Sequence, residues 1–156
     1  MNWDFTARHR MGDFTLDVDY TGRSKSVSLI GPNGAGKSTI LRIFCGMIRP
    51  ESGRIHVGNT TYFDAHSGIW MPPAERNIGY VPQGGALFPH LSALDNVAFG
   101  PRMRGKSKPS ATKIAYQKLA ELGCETLAGR KPQQLSGGEI QKVSLARAMA
   151  NEPDLL

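Results

Sequence analysis

Cysteine is scarce in this chain. Only Cys45 and Cys124 occur in 156 residues, far apart and in unrelated contexts. Neither has a C-x-x-C partner, so no disulfide framework and no cysteine-based metal site is expected. That usage suits a reducing compartment. Long hydrophobic runs are missing too. No stretch approaches the roughly 18 apolar residues that a membrane span needs. The start, Met1-Asn2-Trp3-Asp4-Phe5, lacks the basic segment and apolar run of a signal peptide. Internal repeats and low-complexity tracts are absent. Acidic residues are outnumbered, 13 to 19 basic, giving a net charge of +6 and a pI near 9.6. Such a charge suits an anionic partner: a nucleotide phosphate, nucleic acid or a lipid surface. The one local basic cluster, Arg102, Arg104, Lys106 and Lys108, reads as a solvated loop.

Glycine is abundant, at 18 residues. Its densest use is Gly31-Pro32-Asn33-Gly34-Ala35-Gly36-Lys37-Ser38-Thr39, which fits G-x-x-x-x-G-K-[ST], the phosphate-binding P-loop. Ser26–Ile30 before it reads as a short strand, and Thr39 to Met47 after it as a helix. Glycines let backbone N–H groups turn inward and approach an anion. The helix N-terminus adds partial positive charge at the same point. In this motif Lys37 reaches the β- and γ-phosphates of ATP, and Ser38 offers its hydroxyl to Mg²⁺. A glycine turn capping a buried helix is the plainer alternative.

Around the loop the chain reads as an α/β protein. Residues 3–9 and 14–20 are expected strands, joined by Met11-Gly12-Asp13. Phe14, Leu16, Val18 and Tyr20 alternate with polar residues, which places all four on a core face. The helix after the P-loop is apolar nearly all round, through Ile40, Leu41, Ile43, Phe44 and Cys45, and should be buried on several sides. Gly46 and Pro50 stop it. Residues 54–58 form a strand on which His56 faces solvent. Residues 59–77 read as loop, and Ile78 to Val81 as a strand leading to Gln83. A short helix covers residues 93–98, and residues 100–109 form a basic loop. Ser110 caps a helix running to Leu122, with Ala115, Leu119 and Leu122 on one face. Lys131 to Gln134 is a connector. Leu135-Ser136-Gly137-Gly138-Glu139 then opens a helix to about Ala150, its buried stripe marked by Ile140, Val143, Ala146 and Met149. Ser136 and Glu139 match a capping box.

Four features in this order resemble the nucleotide-binding domain of ATP-binding cassette (ABC) transporters. They are the P-loop, a glutamine after a strand (Gln83), a helical insertion and LSGGE. The stretch Gln141-Lys142-Val143-Ser144-Leu145-Ala146-Arg147-Ala148 continues the last motif in the family's manner. The resemblance spans essentially the whole chain. Within the family it is most similar to importer ATPases for molybdate and related oxyanions, through Phe14 to Asp19, Tyr62-Phe63-Asp64 with Pro72-Pro73 and Arg76, and Gly79-Tyr80-Val81 followed by Leu87-Phe88-Pro89-His90-Leu91. It implies a P-loop NTPase core with an N-terminal antiparallel β subdomain and an inserted α-helical subdomain. The implied division is residues 1–83 as ATP-binding core, 84–137 as helical subdomain and 138–156 as the return to the core.

The resemblance also implies roles. Two cassettes pair head to tail around ATP. Gly31 to Thr39 of one hold the triphosphate, with Lys37 as a catalytic group. Ser136, Gly137, Gly138 and Glu139 of the other cover the γ-phosphate. Gln83 offers its carbonyl to Mg²⁺ or to the attacking water, making it a catalytic and metal-binding residue beside Ser38. The partners implied are a second cassette and a membrane permease, with no nucleic acid, at the cytoplasmic face of the membrane. The family's Walker B Asp, catalytic Glu and switch His find no counterpart before Leu156. The chain is therefore expected to be truncated before Walker B, to hydrolyse ATP poorly alone and to leave apolar helix surface uncovered. Two other readings remain: a non-catalytic ATP-binding module, and a soluble ABC protein acting on nucleic acid. Neither Phe14 nor Tyr20 is assigned to adenine, because their alternation places them in the core.

Overall fold

The computed structural model describes residues 1–156, which separate into two compact units, Met1–Arg76 and Asn77–Leu156. In the first, β1 (Asn2–Met11) and β2 (Phe14–Arg23) form a hairpin around the two-residue turn Gly12-Asp13. Gly12 sits at φ 60°, the left-handed backbone such turns demand. β3 (Ser52–Val57), β4 (Thr60–Asp64) and β5 (Ile69–Trp70) follow, and the sheet is antiparallel throughout in the order β2-β1-β3-β4-β5. Trp3, Phe5 and Ala7 alternate on its buried face, next to Ile55, Val57 and Phe63.

α1 (Lys37–Phe44) lies on that face. Phe44 stacks on Phe5 with ring centroids 4.7 Å apart and meets Trp3 edge-on at 5.8 Å. Aromatic pairs in these geometries add about 0.5–1.5 kcal/mol each beyond area burial. Ile40 and Ile43 complete the buried stripe. Leu41 is exposed, so the expectation of burial all round is corrected: α1 offers one stripe to one sheet face.

Four further expectations are corrected in this unit. Residues 26–30 form no strand. A strand exists through its ladder, no other segment pairs with this one, and Ile30 stands 95% exposed. Residues 59–77 are not wholly loop. Gly58-Asn59 makes a tight turn into β4, and Asp64 accepts from the N–H groups of His66 and Ser67 in the turn toward β5. Phe14 and Tyr20 are exposed although they share a face with buried Leu16, because β2 is the edge strand and its two ends are incompletely covered. His56 is half-buried rather than solvated, with Nδ1 2.9 Å from the Thr61 hydroxyl across the β3–β4 ladder.

The second unit is helical. α2 (Ala93–Met103), α3 (Lys108–Glu121) and α4 (Gly137–Met149) pack through Val97, Ala98, Ala111, Ala115, Leu119, Val143 and Ala146, all buried. The many alanines let helix backbones approach closely. α2 runs one turn past its expected end and includes Gly100 and Pro101, so residues 100–109 are only partly loop. Pro101 is buried, and the Arg104 N–H still closes on the Gly100 carbonyl at 3.1 Å. Ser107, not Ser110, caps α3: its hydroxyl accepts from the Ser110 N–H, with Pro109 in the first turn. Residues 78–81 form no strand beyond a single parallel bridge, Ile78 with Leu155. The expected connector contains a short 3₁₀ turn at Pro132–Gln134. No helix is long and apolar enough to cross a membrane.

Candidate functional site

The P-loop precedes α1 as the sequence predicts. Gly34 and Gly36 both take φ 84°, left-handed backbone that a side chain would strain. Gly36 is doubly constrained, since a Cβ there would come 2.8 Å from Leu16 Cδ1. Gly31 needs no such freedom. Its φ is not positive and a Cβ would rest at 3.5 Å from that of Ala35. The N-cap of α1 is Gly36, which has no side chain to satisfy the first N–H groups, and no acidic residue occupies the first turn. The N–H groups of Lys37, Ser38 and Thr39 thus lack intrahelical acceptors.

Lys37 Nζ donates to the carbonyl oxygens of Gly31 at 2.8 Å and Pro32 at 2.7 Å. The ammonium is held over its own loop by acceptors that a more strongly charged one displaces. Ser38 is exposed, and Thr39 Oγ1 lies 3.6 Å from Met11 Sδ. Phe14 stands beside this loop, its ring 3.4 Å from where a Cβ on Gly36 would be, and 41% exposed. Sequence periodicity assigned that ring to the core and so missed it as a neighbour of the P-loop.

Arg76 anchors the other end of α1. It is 2% exposed and has no carboxylate partner. Its guanidinium donates to the carbonyls of Ile43 (2.8 Å), Met71 (2.9 Å), Tyr62 (3.2 Å) and Phe44, and lies 4.7 Å from the Trp70 ring centroid. Burial lowers its pKa, and the carbonyl dipoles compensate the desolvated charge. Ile43 and Phe44 carry the last carbonyls of α1, where a cation is favoured.

Gln83 and residues 135–139 lie in the second unit. Ser136 caps α4. Its Oγ accepts from the Glu139 N–H at 3.4 Å, and Glu139 Oε2 accepts from the Ser136 N–H at 2.7 Å. That N–H holds the Glu139 carboxyl below the usual glutamate range, with Arg130 and Lys142 adding to the effect. The capping box is therefore formed. Gly137 and Gly138 follow with open space where Cβ atoms would be, so their backbones are approachable.

Gln83 is exposed and lines a cavity of about 550 Å³ with Gly84, Gly85, Gly137, Ile140 and Gln141. The fold thus brings Gln83 next to the start of the LSGGE helix. The segment after Gln83 is fixed by a buried residue that the sequence did not single out. Asn96 Oδ1 accepts from the Phe88 N–H at 2.7 Å, and its Nδ2 reaches the carbonyls of Phe88, Leu91 and Ser92.

Ser38 and Gln83 carry oxygen donors of the kind Mg²⁺ accepts. No three His, Cys, Asp or Glu side chains gather to hold a metal.

A family model described as ABC transporter matches residues 17–156. The chain is 41% identical over 151 residues to the molybdenum import ATP-binding protein ModC of Mycobacterium tuberculosis, aligning 94% of this chain and 41% of that protein. It is 40% identical to ModC of Paramagnetospirillum magneticum, over 98% of this chain and 42% of the relative. It is also 40% identical to the molybdate/tungstate import ATP-binding protein WtpC of Thermococcus kodakarensis, over 92% of this chain and 41% of the relative. The chain thus spans about two-fifths of the length of these curated relatives. Among solved structures it resembles the ATP-binding cassette MJ0796 in a dimeric post-hydrolysis state bound to ADP and Pi. The TM-score is 0.75 at 30% identity, covering 97% of this chain and 70% of that one. Phosphate loop, Gln83 and capped LSGGE helix stand in the order the family requires, and the chain belongs to the ABC transporter family.

Proposed function

We propose that this chain binds Mg-ATP through Gly31 to Thr39 and forms the nucleotide-binding part of an importer's ATPase. One observation carries this reading: α1 presents an uncapped N-terminus behind two left-handed glycines, with Lys37 resting on replaceable carbonyl acceptors. The triphosphate takes the N–H groups of Gly34 to Ser38, and Lys37 turns from Gly31 and Pro32 to the β- and γ-phosphates. Ser38, and Gln83 through its carbonyl, are the protein's ligands to Mg²⁺, which supplies charge neutralisation on the phosphates. Phe14 offers its exposed ring to the purine.

Ser136 to Glu139 meet the γ-phosphate of a nucleotide held by a second copy. The solved relative MJ0796 is dimeric with ADP and Pi, which supports that pairing. Residues 1–83 act as the ATP core, 84–137 as the helical insertion and 138–156 as the return. In the complete assembly the cassettes sit at the cytoplasmic face of a membrane on a permease, and hydrolysis drives solute import. Relatives named for molybdenum and for molybdate/tungstate import favour an oxyanion cargo.

Sedimentation of the chain with Mg-ATP, and separately with Mg-ADP, tests the reading. ATP-specific dimer formation is expected. A monomer with both nucleotides, despite bound ATP, would remove the role assigned to Ser136–Glu139 and leave a binding module.

A further inference from the structure

Three left-handed residues follow Gln83: Gly84 at φ 78°, Gly85 at 79° and Ala86 at 44°. Glycine adopts this backbone freely. Ala86 does not, since its Cβ crowds the following carbonyl. Such a conformation persists only where the surroundings over-determine it.

Here the surroundings are side chains of α4. Ser144, 1% exposed, has its Oγ 2.9 Å from the Gly85 carbonyl oxygen and 2.7 Å from that of Ile140. Arg147 donates from Nη2 to the Gly85 carbonyl at 3.2 Å and from Nη1 to the Ala86 carbonyl at 2.9 Å. Its guanidinium lies 5.5 Å from the Phe88 ring centroid and has no carboxylate partner. The fit is close. A Cβ on Gly85 would come 2.5 Å from both Ile140 Cγ2 and Ser144 Oγ. Gln83 is exposed just before this buried glycine, in the cavity it shares with Gly137 and Gln141. The helix that carries Ser136–Glu139 in its first turn therefore grips, two turns later, the backbone that follows Gln83.

We propose that Arg147, assisted by Ser144, is a positioning residue for Gln83: it clamps Gly85 and Ala86 in left-handed backbone that is strained at Ala86, so that Gln83 and the first turn of α4 move as one piece. The clamp makes Gln83 report to the LSGGE end of its own chain. Its functional meaning rests on the reading of Gln83 as a phosphate-side group.

Residue-resolved amide exchange and side-chain NMR of the full 156-residue chain, without nucleotide, test the clamp. The Gly85 N–H donates to the Pro82 carbonyl at 3.0 Å, and the Phe88 N–H is held independently by Asn96. Arg147→Met should raise Gly85 exchange about tenfold or more and shift the Gln83 side-chain amide resonance, leaving Phe88 exchange unchanged. Arg147→Lys, which restores one donor, should fall between. Adding Ala86→Gly to Arg147→Met should recover several-fold of the lost protection, because glycine removes the strain the clamp opposes. A purely packing role for Arg147 predicts no such rescue. Unchanged Gly85 exchange, or an equal rise at Gly85 and Phe88, overturns the proposal. If Arg147→Met does not fold, Arg147→Lys and Ser144→Ala carry the same comparison with the same deciding results. No nucleotide enters these readouts, so failure here leaves the ATP-binding reading standing. Failure of ATP binding likewise leaves the clamp.

Discussion

Arg76 Nη1 donates to the carbonyl oxygen of Ile43 at 2.8 Å, and so fastens the C-terminal end of the helix whose N-terminal end is the P-loop. One buried cation therefore fixes α1 to the segment that follows β5. The P-loop's orientation depends on a residue at the opposite end of its helix.

Removing that cation takes a donor from four carbonyls, of which Ile43 and Tyr62 keep backbone donors in Gly46 and Met71. Arg76→Met should lower stability by about 3–5 kcal/mol, the cost of breaking a buried, hydrogen-bonded charge site. Urea unfolding monitored by Trp3 and Trp70 fluorescence measures it. Arg76→Lys should recover little, since an ammonium cannot span acceptors at Ile43, Met71 and Tyr62 together. A loss below about 1 kcal/mol for Arg76→Met would show that α1 is anchored elsewhere.

Ser136 has two separable jobs, the cap seen here and the γ-phosphate contact proposed for it. Ser136→Ala should cost about 1 kcal/mol through the lost cap. Ser136→Asp keeps a capping oxygen and should keep the melting temperature, yet it sets a carboxylate against the partner's phosphate. ATP-driven dimerisation by Ser136→Asp should then fail while monomer stability holds. Normal dimerisation by this variant would confine Ser136 to capping.

The capping box also carries a pH signature. The Ser136 N–H holds the Glu139 pKa down in the folded chain. A depressed carboxyl stabilises above its unfolded pKa, and that contribution fades as pH falls through the lower folded value. The gap in melting temperature between wild type and Glu139→Gln should therefore be largest near neutrality and shrink on acidification below the ordinary glutamate range. A gap that is flat or grows in acid contradicts the carboxylate's role.

Much of the site was legible because its residues act locally. A P-loop is a run of nine positions whose glycines and lysine do their work within one turn. Ser136 and Glu139 are three apart and cap the helix they begin. The β1–β2 hairpin announces itself by alternation and a Gly-Asp turn. What escaped depends on distance along the chain. Arg76 meets Ile43 and Tyr62, Arg147 meets Gly85, and Asn96 meets Phe88; no periodicity marks such pairs. Residues 26–30 misled because apolar character signals a strand, while strand formation needs a ladder partner. β4 and β5 were missed because they are short and their turn residues dominate the composition of 59–77. Phe14 misled through an alternation that is real: it shares the covered face with Leu16, yet it stands at the end of edge strand β2 and stays 41% exposed beside Gly36.

In the proposed function, Gly31 to Thr39 grip a nucleoside triphosphate through Lys37. Calorimetric titration of Mg-ATP into wild type and Lys37→Ala tests it most directly. Wild type should bind one ATP per chain. The variant should bind at least about a hundredfold more weakly, the loss of two charge-assisted hydrogen bonds, with an unchanged circular dichroism spectrum. Equal affinity in the two proteins would contradict the account.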